Sequence, residues 1–196
     1  MKIFFCRALA ALVFSALIIP GQLTGQDTTQ PENAPTPEQE LQRKISSYMF
    51  QREALQKKAA KAFDAETARE KAGDCKDART TRDIEICLEK ESEITETNYS
   101  EFTGGIRELL SLGYPETAEP AAAGPTGTPP TTEDLVKEFD ALQSTWQQYR
   151  KIGTTAAYNQ YKGGSIAPVS SAMMGQELVR SHMRELSSIY DGSLHR

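Results

Sequence analysis

Cys75 and Cys87 are the residues with the most chemistry in reach. Eleven residues lie between them, with no histidine or third cysteine nearby. Two thiols alone cannot close a tetrahedral metal site, so a disulfide is the natural chemistry for the pair. In an oxidising compartment such a bridge staples a helix to the turn before it. Two reduced structural thiols are the alternative reading.

Catalysis has little to work with. The only histidines are His182 and His195, and His195 stands one residue from the C-terminus, where fraying is expected. His182 falls on the fourth predicted helix among Met183 and Leu186 and reads as partly packed or solvated rather than as a base. No GxSxG, HExxH or P-loop occurs. Glu89, Glu91, Glu93 and Glu96 read as solvated helical faces with nothing to shift their pKa values. No catalytic residue, metal ligand or cofactor is therefore expected.

Binding chemistry has better candidates. Trp146, Tyr149 and Arg150 are residue types that carry interface energy when clustered. Their shared stripe with Leu135, Phe139 and Leu142 instead reads Trp146 and Tyr149 as core, with Arg150 pairing to an acid on a neighbouring helix. In the next loop, Tyr158 and Tyr161 flank Gly163 and Gly164, two positions that permit unusual backbone shapes. Tyr158, Tyr161, Gly163, Gly164 and Arg150 together form the candidate binding surface. A plain turn is the competing reading of the loop.

The elements that position these residues are helical. Thr36, Pro37 and Gln39 make a capping box with proline at the first helical position. The apolar series Leu41, Ile45, Tyr48, Met49, Leu55, Ala59, Ala62 and Phe63 predicts a helix up to Gly73, a left-handed cap. A second helix is predicted from Thr80, with Asp83 in its first turn and Ile84, Cys87, Leu88, Ile94, Phe102, Ile106 and Leu109 on one stripe. The pair Gly104 and Gly105 weakens it, and Leu112 to Pro115 stops it. Residues 115–130, rich in Pro, Ala, Gly and Thr, read as a linker. A third helix is predicted from Thr131 or Thr132 to Gly153. A fourth begins near Ser170, with Met174, Leu178, Val179, Met183, Leu186, Ile189 and Tyr190 on its apolar side. Residues 191–196 read as a tail. The predicted fold class is all-α: two antiparallel helical hairpins, 36–114 and 131–190, forming a small bundle and joined by the linker.

The first 25 residues read as a secretory signal peptide. Lys2 and Arg7 precede an apolar run from Ala8 to Pro20 that is too short for a stable span. Cys6 precedes the run and is discarded with it, and residues 26–35 read as a disordered leader. A periplasmic or secreted protein is the expectation, with no membrane span after signal removal. The chain carries 22 cationic and 27 acidic residues, a formal charge of -5. Losing Lys2 and Arg7 takes it to -7. That balance argues against nucleic acid and anionic membranes and suits a basic protein partner.

From Cys75 onward the sequence resembles the LprI-like lysozyme-inhibitor family of small exported bacterial proteins. The cysteine pair with Thr80 and Asp83 inside it, and Asn98, Tyr99 and Phe102 after it, are similar to the family's N-terminal domain. Gln143, Trp146, Tyr149 and Arg150 resemble its Gln-x-x-Trp-x-x-Tyr-Arg element. Gly163, Gly164 and Ser165 match its glycine turn, and Arg184, Glu185 and Leu186 its last helix. Family members usually carry a second cysteine pair, whose places fall here near Thr154 and Met174. The resemblance implies binding and inhibition of a lysozyme-type cell-wall hydrolase. A non-catalytic interaction module of the envelope, self-associating through the long first helix, is the alternative. An apolar stripe left exposed on that helix would favour the second reading.

Overall fold

The computed structural model describes residues 35–115 and 130–195. The expected signal peptide, most of the leader and the linker lie outside the described residues. The described residues belong to one compact unit. They form α1 (Pro37–Ala72), α2 (Thr81–Ser111), α3 (Thr132–Gln160), α4 (Ala167–Ile189) and α5 (Asp191–His195), with no strand among them. The fold is all-α, as predicted.

Three of the helices start on the same device. Thr36, Thr80 and Thr131 each accept a hydrogen bond from the backbone three residues on, where Gln39, Asp83 and Asp134 reach back to the cap's own N–H. Each box satisfies two donors that a helix start otherwise leaves orphaned. Gly73 ends α1 with φ +80°, its N–H donating to the Arg69 and Glu70 carbonyls. Its ψ of 127° makes it an extended turn rather than the expected left-handed cap.

α1 and α2 run antiparallel, as do α3 and α4. Tyr48 meets Tyr114 edge-on at 5.1 Å, and Lys58 pairs with Glu108. α2 is the central helix, touching α1, α3 and α4. Phe102, Ile106, Phe139, Val179, Met183 and Leu186 are fully buried between them, so both hairpins share one core. Ala59 and Gly105 form a close α1–α2 contact. A Cβ at Gly105 would stand 3.0 Å from that of Ala59, whereas nothing lies within 4 Å of one at Gly104. The helix runs unbroken through both glycines because one of them buys this close approach.

Several expectations are corrected. α3 continues seven residues past Gly153, to Gln160. Gly153 sits inside the helix where α4 comes close: a Cβ there would meet Leu178 at 2.9 Å. α4 begins at Ala167 instead of Ser170, with Pro168 in its first turn. The expected tail is α5, with Leu194 buried, and His195 reaches Asp191 at 3.0 Å instead of fraying. Tyr149, Ile94, Met174 and Ile189 face solvent rather than core, while Trp146 is buried as expected.

The two glycines of α2 should respond oppositely. Gly104→Ala gains helix propensity without a clash and should raise unfolding stability by about 0.5–1 kcal/mol. Gly105→Val should lower it by about 1–3 kcal/mol, because α1 must move away. Urea denaturation followed by circular dichroism measures both.

Candidate functional site

Two buried polar clusters and an apolar groove stand out among the described residues. The first cluster centres on Glu66 of α1, which is only 2% exposed. Its carboxylate accepts from Thr95 Oγ1 (2.9 Å), Asn98 Nδ2 (2.8 Å), Arg180 Nε (2.8 Å) and Arg69. Arg180 also donates through both terminal nitrogens to Asp74, one bond at 3.0 Å, and Arg69 pairs with Glu91. Burial pushes the Glu66 carboxyl up, but hydrogen bonds from Asn98, Arg180 and Thr95 and the charge of Arg69 outweigh it and hold it below its usual range. Burial likewise works against the charged form of Arg180, yet Asp74 and Glu66 keep its pKa raised.

The second cluster joins α2, α3 and α4. The Tyr99 hydroxyl donates to Gln143, whose amide lies 3.4 Å from His182 Nε2, while His182 Nδ1 is 3.2 Å from Glu185. The imidazole stacks on Trp146 at 4.3 Å and 6°. His182 is 3% exposed, so it is a core residue, more deeply packed than its sequence context suggested. Burial lowers its pKa, against a raising effect of Glu185. Burial raises that of the Tyr99 phenol.

Among the described residues no buried side-chain polar atom lacks a partner, and no group of three or more His, Cys, Asp or Glu is poised around a cation site. Glu66 is saturated by donors, and His182 is enclosed by Trp146, Tyr99 and Gln143. These clusters bind the helices to one another.

The groove, of about 710 Å³, opens where the loop after α1, the start of α2 and the α3–α4 turn meet. Ile84, Leu88 and Val169 line it, with Asp74 and Arg180. Tyr161, Ile166, Met173 and Met174 also line it and remain exposed. Cys75 forms part of its wall, bridged to Cys87 with a Cα–Cα distance of 5.8 Å. Cys75 holds φ +54°, a left-handed conformation that costs a non-glycine residue about 1 kcal/mol or more. Closing so short a loop stabilises the fold by about 2–3 kcal/mol in the chain-entropy account.

The candidate binding residues are divided by the structure. Tyr161 lines the groove, and Tyr158 is exposed but does not. Gly163 turns the chain with φ +93°, and the Gly164 N–H closes the turn on the Tyr161 carbonyl at 2.9 Å. Arg150 belongs elsewhere: it pairs with Glu96 on α2, lies 5.5 Å over the Trp146 ring, and lines a separate groove with Thr154 and Gly175. It is the interhelical pair that its sequence context suggested.

Sequence reasoning missed Glu66, Arg69, Asp74 and Arg180. A signal was present. Glu66 stands seven residues after Ala59 and four after Ala62, so it continues the buried seam of α1. Arg180 interrupts the buried run of α4 between Val179 and His182. Opposite charges at core register positions of two helices mark a buried pair.

Glu66→Ala should cost about 3–5 kcal/mol, since Thr95, Asn98, Arg69 and Arg180 all lose their shared buried acceptor, although each arginine keeps a second carboxylate. Lys58→Ala, which breaks only the exposed pair with Glu108, should change stability by less than about 1 kcal/mol. Denaturation midpoints of the two variants separate the cases. His182 gives a pH signature. Its folded pKa lies below the ordinary 6.5, so the unfolded chain takes up the proton first. The stability gained by keeping it neutral is complete above about pH 6.5 and falls as pH drops toward the folded value. Midpoints measured from about pH 8 to about pH 5.5 should decline, and His182→Gln should flatten that part of the profile.

No protein-family model, curated protein or solved structure matches this chain.

Proposed function

We propose that this chain is an exported, non-catalytic binding protein, and that it inhibits a basic, lysozyme-type cell-wall hydrolase. The observation that carries the first half is the contrast between interior and surface. Buried polar groups are matched to one another, while apolar side chains gather unmatched around an open groove. A chain built this way has affinity to offer, not a reactive group. A Cys75–Cys87 bridge suits an oxidising compartment, and no described helix is long and apolar enough to cross a membrane.

The choice of target rests on the LprI-like resemblance. Two features support it. Thr154 packs across the α3–α4 contact, its methyl 3.5 Å from where a Cβ of Gly175 would stand, close to where the family's second bridge is expected. On α2, Glu93 and Glu101 are exposed near a 45%-exposed Ile94, with Lys90 on the same side. Those carboxylates are the groups a basic enzyme would meet there.

A second reading, an envelope interaction module that self-associates through α1, is favoured by that helix itself. Met49 and Phe50 remain 52% and 76% exposed, so part of its apolar surface has no intramolecular use.

Titrating the chain from Gln26 onward against lysozymes at low salt tests the first reading. Inhibition is expected, with association slowing as salt shortens the screening length to about 8 Å or less. Glu93→Lys with Glu101→Lys should weaken inhibition. Absence of both binding and inhibition at large molar excess leaves the envelope-interaction reading.

A further inference from the structure

The acidity of the chain is confined to part of it. From Ala141 to Gln176 the sequence has no aspartate or glutamate, although the whole chain has 27, and it has three cations, Arg150, Lys151 and Lys162. This stretch, comprising the last part of α3, the turn and the start of α4, carries +3. Since the chain from Gln26 totals -7, everything outside the stretch carries -10.

Apolar exposure is concentrated in the same stretch. Of the thirteen large apolar residues exposed among those described, seven lie within it. Four of them, Tyr161, Ile166, Met173 and Met174, surround the groove, with exposures of 47%, 40%, 57% and 38%. The loop whose Cys75 lines the groove also carries Lys76 and Arg79. Both are exposed, and like Lys162 neither has an ion-pair partner among the described residues. Acids do reach this end. Asp74 is held by Arg180, Asp83 by its own cap and Glu85 by Arg82, Glu177 lies 3.5 Å from Arg184, and Asp77 and Glu89 are exposed without an ion-pair partner among the described residues.

We propose that this end of the bundle docks on an anionic phospholipid surface, with Tyr161, Ile166 and Met173 entering the headgroup region and Lys162, Lys76 and Arg79 meeting the phosphates. Tyrosines with an apolar ring and a polar tip, and lysines with an apolar stem, are the side chains that suit the boundary between water and hydrocarbon. A partner of uniform negative sign also explains why acids are excluded over 36 residues rather than at isolated points. The overall negative charge is no obstacle, because screening over about 8 Å lets the near end of the molecule dominate. The acidic side of α2 is left free, so this inference is independent of the inhibitory reading.

The test uses the chain from Gln26 onward, which retains the entire compact unit. It is sedimented with vesicles of phosphatidylglycerol and phosphatidylethanolamine, and with vesicles of phosphatidylcholine alone. Binding is expected only to the first, with release as salt rises. Lys162→Glu should weaken it at least about fivefold. Tyr161→Ser with Ile166→Ser should weaken it at high and low salt alike, while Lys137→Glu, at the far end of α3, should leave it unchanged. Helicity by circular dichroism confirms that each variant is folded. The proposal is overturned by absence of vesicle binding, by equal binding to phosphatidylcholine, or by equal losses for Lys162→Glu and Lys137→Glu. It is equally overturned if the Tyr161 and Ile166 changes abolish binding to a protein while the wild-type chain ignores both vesicles. Lysozyme inhibition is assayed without lipid, so either idea can fail without the other.

Discussion

The rest of the molecule is organised around the need to satisfy one buried carboxylate. Glu66 sits where the seam of α1 calls for an apolar residue, and a charge removed from water there is tolerated only with its hydrogen bonds complete. Its four donors come from α1 itself, from α2 through Thr95 and Asn98, and from α4 through Arg180. Those bonds are directional where apolar packing is not. Any slide of one turn would break the fork between Glu66 and Arg180 as well as the close approach of Ala59 to Gly105. The cluster therefore fixes the register of three helices, and the apolar core supplies most of the free energy around it.

The disulfide extends this constraint to the surface. Asp74 occupies the second coordination partner of Arg180, and it is a loop residue, next to Cys75 in a left-handed turn. The bond to Cys87 ties that turn to the first two turns of α2 and holds Asp74 within reach of the arginine. The same restraint makes Cys75 a wall of the groove. A surface feature and a buried ion cluster thus depend on one covalent link, with the chain order Glu66, Asp74, Cys75 carrying the connection.

Much of the architecture was legible because helix starts are written locally. The threonine of each capping box and the acid or amide three residues later are short-range signals, and the structure uses all three. The all-α class and the hairpin pairing followed from periodicity. Glycine was the misleading signal. Gly153 reads as a stop because isolated glycine destabilises a helix, but its effect here is set by Leu178 on another helix, which no local pattern reveals. Gly105 poses the same problem, with Ala59 as the distant partner. Tyr149 failed for a related reason: α3 is covered on one side only, and the four-three spacing that includes Tyr149 reaches beyond the covered arc. The candidate surface was half legible. Tyr161 could be proposed from its turn, but the groove it lines needs Cys75, Ile84 and Met173, which are brought together only by tertiary contact.

Net charge shows the same limitation most clearly. A total of -7 invites an argument about partners, yet total charge is a property of the far field, and binding occurs within a Debye length. At that range the molecule has two characters. Along α2, Glu89, Glu93 and Glu101 are exposed with Lys90 among them, whereas the stretch through the α3–α4 turn has no acid for 36 residues and exposes Tyr161, Ile166 and Met173. A sequence average merges these into mild acidity and excludes anionic surfaces on grounds that apply to only one of them. The polarity follows from the fold's use of its ion pairs. Arg69 and Arg180 are spent inside on Glu66, Asp74 and Glu91, and Arg150 is committed to Glu96. Lys76, Arg79 and Lys162 carry no such pair among the described residues, and Cys75 and Tyr161, beside Lys76 and Lys162 in the chain, line the same groove.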